Sequence, residues 1–340
     1  DTVVEALIES GDIKVWNAQE ILKRVQNNTA VAQGPEPRSY ASGKIILLGE
    51  HAVVYGRPAL AAPIPLAVEA RVVDSADTVL LIPRWGIEQR VPPMSENPQG
   101  VTGILALLLE RLDLASRSLT IEAFPNVPRA MGLGGSSALA VAVIRALSNH
   151  FKLDLSDERV NELAFECERA VHGTPSGVDN TIATYGSTLL FENKGAPSFQ
   201  EVHPARSVSI AIGISGKESL TATTVAQVRK AWERQPERYE RIFDQIGDLT
   251  RAGTEALQDG AYQELGELMN LCQGYLNALQ VSTPELEELI HIARRRGAVG
   301  AKLTGGGGGG SVIALCPDGA DDVVEAMQNS GFEALAFDLA

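Results

Sequence analysis

An α+β fold in two lobes is what this chain predicts, and three observations carry that expectation. Its 340 residues are more than one hydrophobic core usually serves. Strand-like and helix-like segments mix before residue 206, whereas 221–297 reads almost wholly as helix. The C-terminal stretch then reads as strand, glycine run, strand, helix, strand. Such an order places helices beside mixed sheets and leaves a cleft between the lobes as the natural ligand site.

The elements follow in order. DTVVEALIESGDIKVWNAQEILKRVQNNTAV (1–31) reads as short amphipathic helices, and AQGPEPR (32–38) as a linker, so 1–38 is expected to be a leader apart from the main fold. KIILLG (44–49) is apolar and β-branched, a buried strand. GRPALAAPIPLAVEARVV (56–73) predicts further strands broken by its prolines. QGVTGILALLLERLD (99–113) predicts a helix, SLTIEAF (118–124) a strand, and ALAVAVIRALSNHF (138–151) an apolar helix. SDERVNELAFECERAVHG (156–173) has a serine start, an acidic first turn and a glycine stop. TPSGVDN (174–180) reads as a loop with possible helix entry. GSTLLFE and SVSIAIG read as strands, and KLTGGGGGGSVIAL (302–315) as strand, glycines, strand.

Composition narrows the function. Hydrophobic content of 44% supports a sizeable core. A net charge of −14, from 29 basic and 43 acidic residues, argues against nucleic acid and anionic membranes as partners. Any phosphate must be held by local donors. Cys167, Cys272 and Cys316 are few and widely spaced, which fits a reducing cytoplasm and no disulfide framework. No apolar run is long enough to span a membrane.

Four stretches carry chemistry. In ASGKIILLGEHAVVYG (41–56), Lys44 opens a strand, and Glu50 and His51 follow its end; alone, this is equally a strand-edge lysine and a polar turn. NVPRAMGLGGSSA (126–138) puts glycines and serines before a helix. Glycines let backbone N–H groups approach phosphate oxygens, and the helix adds its positive end. It is neither a Walker A sequence nor a dinucleotide fingerprint. ERAVHGTPSGVD (168–179) has Glu168 near a helix C-terminus, where the dipole disfavours a carboxylate unless a cation compensates. Asp179 is expected in the loop that follows, where a carboxylate near a lysine can accept a hydroxyl proton. In KLTGGGGGGSV (302–312), six glycines between strands cost folding entropy, which close approach to a ligand would explain.

In this chain order, GKIILLGEHAVVYG, the glycine-serine loop, HGTPSGVDN and KLTGGGGGG together resemble the GHMP kinase superfamily, and within it the mevalonate kinases. The resemblance covers about residues 40–340. It implies an N-terminal α/β lobe (39–205) and a helix-rich, ferredoxin-like C-terminal lobe (206–340). It implies ATP-dependent phosphorylation of the C5 hydroxyl of mevalonate, an early step in isoprenoid biosynthesis, with Mg²⁺. By match to the family's motifs, Asp179 takes the hydroxyl proton and Lys44 offsets charge on the transferred group. Glu50, His51 and Thr221 face the substrate. Gly132, Leu133, Gly134, Gly135, Ser136 and Ser137 hold phosphate, with Gly305 and Gly306. Ser136 and Glu168 hold the metal. The family loop commonly reads GLGSSA; here Gly135 stands where serine is usual and Ser137 where alanine is, so Ser137 is a second candidate ligand. Gly306 stands where many relatives carry alanine.

Neighbouring kinases acting on phosphomevalonate, the mevalonate 3-position, sugars or homoserine are the alternatives, followed by a non-catalytic metabolite sensor. Dimers are common in the family, and the sequence leaves the oligomeric state open. The leader resembles the C-terminal tail of class II hydroxymethylglutaryl-CoA reductases. It is read either as the remnant of an upstream fused reductase domain or as a plain helical extension.

Overall fold

The computed structural model describes residues 38–94, 100–172 and 175–340. The leader expected over 1–38 lies outside them, except for Arg38, which pairs with Glu69 at 2.7 Å. In chain order the strands are β1 (Ser39–Leu48), β2 (Ala59–Asp74), β3 (Val79–Ile82), β4 (Ile87–Arg90), β5 (Leu119–Pro125), β6 (Leu189–Asn193), β7 (Pro197–Glu201), β8 (Val208–Ile214), β9 (Gly300–Thr304), β10 (Ser311–Cys316) and β11 (Glu333–Leu339). The helices are α1 (Gly100–Arg111), α2 (Gly135–Phe151), α3 (Asp157–His172), α4 (Val178–Tyr185), α5 (Thr221–Arg234), α6 (Pro236–Asp259), α7 (Tyr262–Ala278), α8 (Pro284–Arg295) and α9 (Asp321–Asn329).

Backbone contacts divide the chain into two compact units. The first comprises Leu66–Asn126 and Ser136–Thr174, with the segment ending at Ala41. Here the second half of β2 pairs antiparallel with β5 (Val68↔Pro125), β5 pairs parallel with β3, and β3 pairs antiparallel with β4. Helix α2 is buried nearly all round, from Ser137 to Ile144, as its unbroken apolar run requires. Helix α3 buries Val160, Leu163, Ala164 and Cys167, one stripe at helical spacing. Ser156 caps it: its Oγ accepts the Arg159 N–H at 3.3 Å.

The second unit comprises Ser42–Pro65, Val127–Gly135 and Pro175–Ala340. The first half of β2 pairs with β6 (Ala59↔Phe191), and β6 pairs with β7. Ile46, Val53, Ala59, Ala61, Val178, Ile182, Leu189 and Phe191 form one buried cluster, which seats α4 on β1 and β6. A four-stranded antiparallel sheet follows in the order β11-β8-β10-β9. β8 therefore lies between β10 and β11, which α9 connects, giving the split βαβ of a ferredoxin-like lobe. Helices meet this sheet where glycines allow it: a Cβ on Gly213 would lie 2.8 Å from Leu289 of α8.

Four expectations change. β1 begins at Ser39, so Lys44 lies within that strand and does not open it. The 56–73 stretch contributes one continuous strand from Ala59 onward, not several. Its β6 ladder ends at Ala61 and its β5 ladder begins at Val68, so Pro63 and Pro65 remove no N–H from either. Helix α2 starts at Gly135, three residues before the expected Ala138, because a first helical turn needs no intrahelical N–H partner and accepts glycine and serine. Asp179 lies in the first turn of α4, not in a loop: Gly177, at φ 93°, turns the chain directly into the helix.

Candidate active site

Lys44 is the centre of one constellation in the second unit. It sits on β1, whose apolar sequence carries it into the interior, and its side chain is 4% exposed. Its backbone N–H donates to the Leu133 carbonyl at 2.9 Å, and its ammonium donates to the Gly132 carbonyl at 3.0 Å. The glycine loop is thus laid along β1. Glycine is required there by contact: a Cβ on Gly134 would lie 2.8 Å from Lys44 Cγ, and one on Gly43 2.7 Å from the Leu133 carbonyl.

Asp179 faces this lysine, its Oδ1 3.4 Å from Lys44 Nζ. Val178 and Ile182, on either side of it in α4, are pinned in the buried cluster. Thr181 Oγ1 donates to the Gly177 carbonyl at 2.6 Å, and Ser176 Oγ accepts the Val178 N–H at 3.3 Å. The helix end favours a carboxylate at this position. Asp179 keeps about a third of its side-chain surface exposed. A solvent-reaching carboxylate beside a buried ammonium can accept a proton from a bound hydroxyl while the ammonium stabilises the oxygen left behind.

The 305–310 glycines pack against the protein itself. A Cβ on Gly305 would lie 3.0 Å from the Gly132 carbonyl, and one on Gly307 2.2 Å from that of Val281. A Cβ on Gly306 would lie 2.7 Å from the Thr221 side chain. The expectation is close approach to a ligand; the close approach seen is to backbone and to α5. Ser311 Oγ donates to the Met131 carbonyl at 2.9 Å, and Ser219 N–H to that of Ala130 at 2.6 Å, so the two glycine-rich turns support each other. Thr221 opens α5, exposed, with its Oγ1 3.0 Å from Ser219 Oγ.

Glu50 and His51 point into the same unit. His51 has φ 60°, a left-handed conformation that costs a non-glycine residue energy. Its Nε2 lies 3.0 Å from the Gly306 carbonyl, which also accepts from Thr224 Oγ1 at 2.8 Å. A carbonyl only accepts, so Nε2 carries the hydrogen. Burial pushes the imidazole pKa down to about 4, opposed by the Gly306 bond, so the ring is neutral near pH 7. Glu50 is buried against Lys302, whose ammonium donates to Glu50 Oε1. Burial pushes the Glu50 carboxyl up, against the pull of Lys302 and Lys44.

A second constellation lies in the first unit. Glu168, near the end of α3, is 9% exposed, and its Oε1 accepts from Ser136 Oγ at 2.9 Å and from Ser137 Oγ at 2.7 Å. Ser136 is exposed and Ser137 buried. Three hard oxygen donors from the first turn of α2 and the last part of α3 thus share one point.

Every site residue singled out from the sequence therefore falls in one of these two groups. Lys302 was not among them. Its signal was present in GAKLT, a lysine at the centre of an otherwise uncharged strand.

Among known families, the GHMP kinases N terminal domain matches residues 100–187 and the GHMP kinases C terminal domain residues 254–333. A mevalonate kinase of Methanothermobacter thermautotrophicus is 38% identical over 85% of this chain and 93% of its own length. One from Thermococcus sibiricus is 34% identical over 86% and 92%. The crystal structure of L. major mevalonate kinase in complex with R-mevalonate superposes with a TM-score of 0.75 at 31% identity, covering 86% of this chain and 91% of that one. Identity at this level across nearly the whole of both chains reaches well beyond a shared fold: the chain belongs to the mevalonate kinase family of GHMP kinases, and it is a kinase that uses ATP.

Proposed function

We propose that this chain transfers the terminal phosphoryl group of ATP to the C5 hydroxyl of mevalonate. The observation that carries the reading is the Lys44–Asp179 pair, 3.4 Å apart, with the ammonium bound to the glycine loop at 3.0 Å. Asp179 would accept the hydroxyl proton as the oxygen attacks phosphorus. Lys44 would offset the charge developing on the transferred group. Glu50, His51 and Thr221 belong to the substrate side.

Gly132, Leu133, Gly134, Gly135, Ser136 and Ser137, supported by Gly305 and Gly306, would hold the ATP phosphates through backbone N–H groups. Support comes from the left-handed φ of 73° at both Gly132 and Gly134 and from the start of α2 at Gly135. The donor set of Ser136 and Glu168 suits Mg²⁺, which takes oxygen ligands and uses one or two carboxylates beside substrate phosphates. Bound there, the ion would neutralise phosphate charge. Among the described residues no group of three or more His, Cys, Asp or Glu could by itself hold a metal ion.

The lobe division at 205/206 belongs to the same reading, supported by the family domains matching on either side of it. So does a cytosolic setting, supported by three buried free thiols. No helix among the described residues is long and apolar enough to cross a membrane.

The test is ADP release with mevalonate, phosphomevalonate, galactose and homoserine, with NMR of the product. Turnover on mevalonate giving the 5-phosphate supports the reading. Turnover confined to another alcohol, or phosphorylation at C3, rejects it.

A further inference from the structure

Lys302 and Glu50 form a buried charged pair within the second unit. Lys302 is fully buried and Glu50 is 1% exposed. Besides Glu50 Oε1, the ammonium donates to the Leu303 carbonyl at 2.7 Å and reaches that of Ile46 at 3.5 Å. One lysine on β9 thereby holds both the end of β1 and the turn after it. Thr304, two residues on, repeats the link: its Oγ1 accepts the Ile46 N–H at 2.8 Å.

A buried ion pair is weak evidence for stability, because apolar residues of similar volume serve as well or better. This pair is not even fully satisfied. Glu50 Oε2 is buried and has no hydrogen-bond partner among the described residues. What the pair does fix is direction. The Glu50 side chain is drawn into the core, and the next residue, His51, takes its strained backbone and sets its ring on the Gly306 carbonyl. With Nε2 committed as donor to that carbonyl, Nδ1 is left able only to accept.

We propose that Lys302 is a positioning residue: by anchoring Glu50 it holds the 49–51 turn so that His51 stands on Gly306 with Nδ1 as acceptor for a hydroxyl of the alcohol substrate. The substrate part rests on the kinase reading above; the coupling of Lys302 to His51 does not.

The experiment compares wild type with Lys302→Met, the paired Lys302→Met/Glu50→Met and the milder Glu50→Gln. It records thermal midpoint, KM for mevalonate and for ATP, and ¹⁵N imidazole spectra of His51. Lys302→Met alone strands a buried carboxylate and lowers the midpoint; the paired variant, with no charge left, recovers it. If Lys302 positions His51, KM for mevalonate stays raised about tenfold or more in both, KM for ATP moves far less, and the His51 signals shift in both. Recovery of midpoint, KM and His51 signals together in the paired variant overturns the proposal, as does a wild-type His51 protonated on Nδ1. If wild type does not turn over mevalonate, the functional reading fails. The spectra of Glu50→Gln then still decide the coupling: unchanged His51 signals refute it, and shifted ones uphold it.

Discussion

Replacing Gly134 by alanine tests how the loop is built. Gly134 has φ 73°, where an L-residue pays about 1–2 kcal/mol. The added Cβ would also lie 2.8 Å from Lys44 Cγ and 3.3 Å from the Lys44 backbone nitrogen. The lysine side chain is 4% exposed and tied at its tip, so it has little room to yield. Overpacking of this kind costs about 1–3 kcal/mol. Together these give about 2–5 kcal/mol, a fall of several degrees or more in thermal midpoint. Displacing Lys44 by even part of an ångström also weakens its alignment with Asp179, and such misplacement can cost about 10²-fold in turnover. The control is next door. A Cβ on Gly135 would meet nothing nearer than Val127 at 3.5 Å, and Gly135 begins a helix, where alanine is the better former by about 1 kcal/mol in a helix interior and by less at its first position. Gly135→Ala should therefore hold or raise the midpoint. Scanning calorimetry of the two variants decides the matter: equal shifts would refute the argument that contact with Lys44 is what demands glycine.

The other expectations concern charge. Asp179→Asn should lower kcat about 10²–10⁴-fold while isothermal titration still shows ATP binding; a normal kcat would reject Asp179 as base. Lys44→Met should lower kcat at least as much as a lost oxyanion donor, about 10²–10³-fold, and an active variant would count against its charge role. Glu168→Gln keeps an oxygen acceptor for Ser136 and Ser137 but loses the charge, so the Mg²⁺ concentration for half-maximal rate should rise while the midpoint holds; unchanged metal dependence excludes it as a ligand. The His51 imidazole binds its proton more weakly folded, at about 4, than unfolded, at 6.5, so between those values the unfolded chain holds more protons and stability falls as pH drops. His51→Asn should flatten that part of the profile of midpoint against pH. Glu50, whose carboxyl is pushed up, acts in the opposite sense and is common to both proteins, so the difference between the profiles belongs to His51.

The fold was legible where local pattern and tertiary demand agree. The apolar run of α2 and the capped, striped α3 announce themselves because their own residues bury them. The continuity of β2 through two prolines does not, since it depends on which neighbours pair where: β6 stops at Ala61 and β5 starts at Val68. Strands β3, β4 and β7 carry no such mark, for a related reason. They have four, four and five residues, and β7 is exposed along its whole length, so no apolar alternation marks it.

The site was legible by a different route. Lys44, Asp179, Glu168 and the serines are marked by motif, and the structure supplies the reason for each placement: hydrogen bonds for Lys44, Glu168 and the serines, and the ion pair with Lys44 for Asp179. The glycine run carries a subtler lesson. Its composition suggests close approach to a ligand, and what the structure shows is Gly305 and Gly307 approaching carbonyls of the chain itself. A glycine-rich turn held that tightly is a rigid support for the turn beside it, which is what backbone N–H groups need if they are to be aimed at phosphate without reorganising. The role of Lys302 is not legible in the sequence because it is wholly tertiary: 252 residues separate it from Glu50. Its charge is held in the core by that distant carboxylate together with the Leu303 and Ile46 carbonyls, and the strained His51 beside the carboxylate is where such a distant constraint reaches the chemistry.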